Sequence, residues 1–93
     1  MSTMPIALFE LGRVVASSIA MESLTHEEMT AALRRHKAGD WGDLTDEDKA
    51  ENNTALMEGR RIMSLYSTPD GQQFWILTEA NRSTTTIFLP EEY

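Results

Sequence analysis

Two histidines, fifteen carboxylates and no cysteine are the side chains with which this chain could do chemistry. The missing cysteine removes thiol nucleophiles, thiolate zinc sites and any disulfide framework. His26-Glu27 opens like the zinc motif H-E-x-x-H, but Thr30 stands where the second histidine should be. His26 and His36 are ten residues apart; on a shared helix they would point roughly 80° apart and form no ligand pair. His36 falls on the apolar face of its helix and reads as a core-edge histidine near the helix C-terminus, paired with Asp40. A calcium loop needs oxygen ligands at alternate positions, glycine at the sixth and glutamate at the twelfth. Counted from Asp43, those last two positions hold Asp48 and Thr54; counted from Asp40, the third and fifth are Gly42 and Leu44. Neither register works. There is no G-x-S-x-G, and the five glycines stand singly, so no phosphate loop is formed. No carboxylate pair is singled out for acid–base work. The expectation is a protein that is not an enzyme, with no metal and no cofactor.

The carboxylates are unevenly placed. Residues 1–39 carry four acids and four bases, and residues 59–93 carry four acids and three bases. Between them, residues 40–58 carry seven acids against Lys49 alone, which accounts for nearly all of the net charge of −7. Such a field repels nucleic-acid backbones and attracts a basic surface on another protein. Trp41, Asp43, Asp46, Glu47, Asp48 and Glu51 are the residues that would carry such binding. Each also has a plainer reading. Acids in a helix's first turn gain about 0.3–1 kcal/mol each from its dipole, and Trp41, between two Gly-Asp pairs, can fold its ring over the edge of the core. Arg60, Arg61 and Arg82 are expected to pair internally with acids. A rival reading takes Asn52, Asn53 and the acids as a small-ligand or divalent-metal site.

Ninety-three residues make one domain, burying roughly 60–65% of the unfolded surface. No stretch reaches the ~18 apolar residues of a membrane span, and the start, MSTMPIALFELGR, has neither the basic region nor the apolar run of a secretory signal. The expected compartment is the cytoplasm. The helical half runs over about 17–58. Ser17 or Ser18 caps a short helix through Leu24. Thr25 and Glu28 form a capping box for residues 25–37, where Met29, Ala32, Leu33 and His36 make one face and Gly39 stops the helix. A helix from about Asp46 to Glu58 follows, capped by Thr45. Residues 13–16 read as a short strand or extended segment.

Over about 60–90 the period becomes two. RIMSLYS, QQFWILTE and TTTIFLP read as three strands of an antiparallel meander, with Pro69-Asp70-Gly71 turning between the first two. The expected fold class is α+β, two to three helices packed on a three-stranded antiparallel sheet. Met63, Leu65, Trp75, Leu77, Ile87 and Leu89 are assigned to one sheet face, and Ile62, Tyr66, Phe74, Ile76 and Phe88 to the other. Both are apolar. The face turned away from the helices therefore needs a cover, either the N-terminal segment or a second molecule, including a homodimer mate.

GDWGDLTDEDKAEN, ALMEGRRIMSLY and FWILTEANRSTTTIFLPEEY together resemble a family of short bacterial proteins, without an assigned mechanism, that are carried on plasmids and other mobile elements. The resemblance spans roughly residues 9–93 and is strongest at the Gly-Asp-Trp-Gly-Asp core and the closing Leu-Pro-Glu-Glu-Tyr. This chain has Asn81 where the family pattern T-E-A-D-R-S has aspartate. Members often carry the label of a type I restriction-modification subunit. The residues speak against that label, because a methyltransferase needs a Rossmann-like sheet, a Gly-rich cofactor loop and an N-P-P-Y-like motif. The resemblance implies a mobile-element setting. In that setting a small acidic protein would block a basic surface of a host defence nucleoprotein.

Overall fold

The computed structural model describes residues 7–93. In chain order the elements are β1 (Arg13–Ala16), α1 (Ser18–Ser23), α2 (His26–Lys37), α3 (Asp46–Glu58), β2 (Ile62–Ser67), β3 (Gln73–Thr78) and β4 (Thr84–Phe88), then a single 3₁₀ turn, Pro90–Glu92. The helices start where their caps are. Thr25 accepts from the Glu28 amide at 3.0 Å while Glu28 accepts from the Thr25 amide at 2.9 Å, closing the expected capping box. Thr45 accepts from the Asp48 amide at 3.1 Å, and α3 ends on Gly59 in the left-handed conformation, φ 73°, which glycine adopts without steric cost.

The class is α+β with three helices, but the sheet differs from expectation. It has four strands in the order β1-β4-β3-β2 and is mixed, because β1 pairs parallel to β4. The antiparallel pairing of β2, β3 and β4 is as read from the sequence. Residues 13–16 read from the sequence as a short strand or extended segment, and their place in the sheet was not legible, since a parallel partner about seventy residues away leaves no local mark. Gly12 makes the junction. Its φ is +65°, and a side chain there would run into the backbone of Ser83.

Facing residues also need correcting. Thr78, Ile76 and Phe74 share the helix side with Ile62, Ser64 and Tyr66, and Ile87 pairs with Ile76, so Ile87 and Leu89 belong with them. Phe88 lies on the opposite face with Trp75, its register partner. Alternation fixes faces within a strand, but the relative register of two strands is set by pairing. On the helix side Ala20, Leu24 and Ala32 pack against Tyr66, Phe74, Ile76, Ile87 and Leu89. A second cluster joins Trp41, Ala55 and Ile62 to Phe9, Leu44 and Leu56. The described N-terminal residues do not cover the far sheet face: Phe9 lies on the helix side, 5.2 Å from the His36 ring. Tyr93 caps part of that far face, with ring centroids 5.8 Å from Phe88 and 6.2 Å from Trp75, leaving Met63, Leu65 and Leu77 half-buried.

Candidate functional site

The residues expected to bind a partner separate into two groups. Asp43, Asp46, Glu47, Asp48 and Glu51 are all exposed. Trp41 is 3% exposed, a core residue whose Nε1 donates to Asn53 Oδ1 at 2.9 Å and whose ring stacks on Phe9 at 6.2 Å. The acidic face therefore carries no aromatic anchor from Trp41. Asp43 accepts from the Ser67 hydroxyl at 2.7 Å, and Glu51 lies 4.0 Å from Arg60. Asp46, Glu47 and Asp48 have no ion partner among the described residues. Of the three arginines expected to neutralise acids, among the described residues only Arg60 does so, on Glu58 at 3.0 Å and at longer range on Glu51. Arg82 instead donates to the backbone carbonyls of Arg60 and Glu79 and lies over the Phe9 ring.

What holds this face in place is the edge of β2. Met63 and Leu65 turn their backbone groups away from β3. Asn52, buried in mid-helix, donates through Nδ2 to the Met63 carbonyl at 2.8 Å and accepts through Oδ1 from the Met63 amide at 3.4 Å. Leu65 is met by residues 41–43: its amide donates to the Trp41 carbonyl at 3.3 Å, and its carbonyl accepts from the Asp43 amide at 2.7 Å. Gly42 fits against Leu65 because a side chain there would collide with the Leu65 carbonyl, and its φ is +76°. Asn52 and Asn53, the amides of the rival ligand site, thus spend their hydrogen bonds inside the protein.

His36 is not paired with Asp40. Asp40 takes two bonds from Arg35, at 2.7 and 3.2 Å, and that pairing holds its carboxyl below, and the Arg35 guanidinium above, their ordinary values. His36 is fully buried, its Nδ1 2.6 Å from Ser64 Oγ and its Nε2 2.9 Å from Thr78 Oγ1. Thr78 Oγ1 is 2.7 Å from Thr85 Oγ1, and Thr85 donates to the Leu11 carbonyl at 2.7 Å. That final acceptor sets the direction of the chain. Thr85 has spent its proton, so it accepts from Thr78; Thr78 accepts from His36 Nε2–H; and Nδ1 accepts from Ser64. The imidazole is neutral and Nε2-protonated. Burial, with a smaller contribution from the charge of Arg82, lowers its pKa to about 3.

Ser64 beside His36 has the spacing of a nucleophile and its base. Neither has exposed surface, so no substrate reaches the pair in this conformation. The sequence reading missed Ser64, Thr78 and Thr85. Their signal was three small hydroxyl residues at inward positions of strands whose other inward positions are apolar. Among the described residues, no group of three or more histidines and carboxylates could hold a metal ion, and no helix is long and apolar enough to cross a membrane. Comparison with family models, with curated proteins and with solved structures returns no match.

Proposed function

We propose that this protein is a small interaction module that docks against a basic surface of another protein through Asp43, Asp46, Glu47, Asp48 and Glu51. The observation that carries this reading is the state of α3's first turn. Asp46, Glu47 and Asp48 are exposed and lack ion partners among the described residues, while Asn52 and Asn53 hold the helix firmly to the sheet and to Trp41. With its backbone already fixed, such a face pays only the ordering of its exposed side chains when it binds. Its charge speeds encounter with a basic partner and disfavours nucleic acid. Taken with the resemblance to mobile-element proteins, the sharpest form of the proposal is inhibition of a host defence nucleoprotein, by occupying a basic surface meant for nucleic acid.

The test is capture from bacterial lysate at low and high salt, with the native chain and with an Asp46→Asn, Glu47→Gln, Asp48→Asn variant. The expected result is a specific basic protein, released at high salt and not held by the variant. Recovery of the same partner by both chains would sink the proposal.

A further inference from the structure

The two edges of the sheet are treated differently. Along β2 the outward amides and carbonyls of Met63 and Leu65 are met by Asn52 and residues 41–43. At β1 the ladder to β4 uses alternate residues: the Arg13 amide donates to the Ser83 carbonyl at 2.9 Å and the Ser17 amide to the Ile87 carbonyl at 3.0 Å. With Arg13 opposite Thr84 and Val15 opposite Thr86, the parallel pattern turns Val14 and Ala16 outward. Among the described residues, no other segment pairs with that edge. The strand is short and opens on Arg13, but from Val14 to Ala16 it has no proline, no charge and no bulge.

The surroundings of this edge are apolar. Val14 is 42% exposed, Ile19 45% and Met21 64%. Beside the strand runs a groove of about 260 Å³ lined by Val14, Met21, Met29, Leu33 and Ile87, among others. Charge selects the occupant. The segment around β1, residues 1–39, has balanced acids and bases, whereas nearly all the net charge of −7 lies in residues 40–58, on and before α3, beyond the opposite edge. Two copies joined at β1 would bring together segments of balanced charge, with Glu92 beside Ser17 the added acid at that edge, and leave their acidic helices at the two far ends. Those ends are separated by six strand spacings or more, roughly 30 Å, well beyond a Debye length.

We infer that two copies of this chain associate through β1, antiparallel across a two-fold axis, to make one continuous eight-stranded sheet. Centred on Val15, the ladder sets Val14 of each copy opposite Ala16 of the other and forms four backbone hydrogen bonds. Met21 and Val14 of each copy are then covered by the other. The inference is independent of what the acidic face binds.

The test is sedimentation of the whole chain from low micromolar to millimolar concentration, with hydrogen exchange of the Val14 and Ala16 amides at both ends of that range. The expected result is a doubling of sedimenting mass, with both amides becoming protected as the dimer forms. Val14→Pro removes an outward N–H that the monomer does not use, and Val14→Lys adds a charge at an exposed position. Each should return the mass to that of a monomer while the circular dichroism and cooperative melt are kept. A native chain that stays monomeric at millimolar concentration overturns the inference. So does a dimer that survives both substitutions or leaves the Val14 and Ala16 amides unprotected.

Discussion

His36 is folded in a form that acid must undo. Its folded pKa of about 3 lies below the ordinary 6.5, so between those values the unfolded chain binds the proton that the folded chain refuses. Stability then rises with pH across the window and is lost on acidification, by on the order of 5 kcal/mol over its full width. Asp40, whose carboxyl Arg35 holds below its ordinary 3.8, acts in the same direction but only in stronger acid. Urea unfolding at pH 7, 5.5 and 4.5 therefore isolates the histidine. We expect a steady fall in stability across those three values, and a nearly flat profile for His36→Gln, which should itself lose about 2–3 kcal/mol at pH 7 through broken buried hydrogen bonds. An unchanged slope in the variant would assign the acid sensitivity elsewhere. The burial of His36 was legible from its place on the helix's apolar face. Its partners were not, because Ser64 and Thr78 lie 28 and 42 residues away, and local spacing favoured Asp40.

Among the elements, α2 and α3 were legible because their signals are local: a capping residue, acids in the first turn, glycine at or just past the end. The strands were legible as strands, but neither their relative facing nor the parallel place of β1 could be had without the pairing. The edge of β2 was the least legible of all. Asn52 and Asn53 read as poor helix formers, and only the neighbouring backbone explains them. Asn52→Ala should cost about 2–3 kcal/mol, because it leaves both backbone groups of Met63 without their partner. Gly42→Ala should cost more than about 3 kcal/mol, since positive φ and the Leu65 carbonyl oppose it together. Gly59→Ala, with the same sign of φ but open space around it, should cost only about 1 kcal/mol. Thermal melts of the three variants check the order, and equal losses at Gly42 and Gly59 would remove the close approach as the cause. Two of the most distinctive stretches of the sequence have packing roles. Gly-Asp-Trp-Gly-Asp covers the edge of β2, and in the closing Leu-Pro-Glu-Glu-Tyr, Glu92 accepts from the Ser17 hydroxyl and the Leu89 amide. Asn81 uses only its oxygen, accepting from Ser83, a task an aspartate would perform equally well.

At the scale of the whole molecule, the segment before α1 completes the structure. Phe9 packs on His36 and Trp41, the Leu11 carbonyl ends the buried hydroxyl chain, and β1 is the fourth strand. A chain lacking residues 1–17 should therefore lose cooperative unfolding, and its urea transition should broaden with a smaller m-value. A sharp transition of native slope would show that the three-stranded unit suffices, as the sequence reading alone would have it. The one-domain expectation and the α+β class came from length and period. Sheet topology came from neither, since it depends on contacts between distant segments.

The pairing of β1 with β4 also sets a timetable. A ribosome adding residues at roughly 5–20 per second takes on the order of 4–14 seconds to travel from one strand to the other. Through that interval Arg13-Val14-Val15-Ala16 has been made and its partner strand β4 has not. The helices can form as they emerge, but the sheet must wait for its second layer of contacts to be translated. Slow codons between positions 17 and 84 would lengthen that exposure, and a nascent-chain chaperone would find its natural client there.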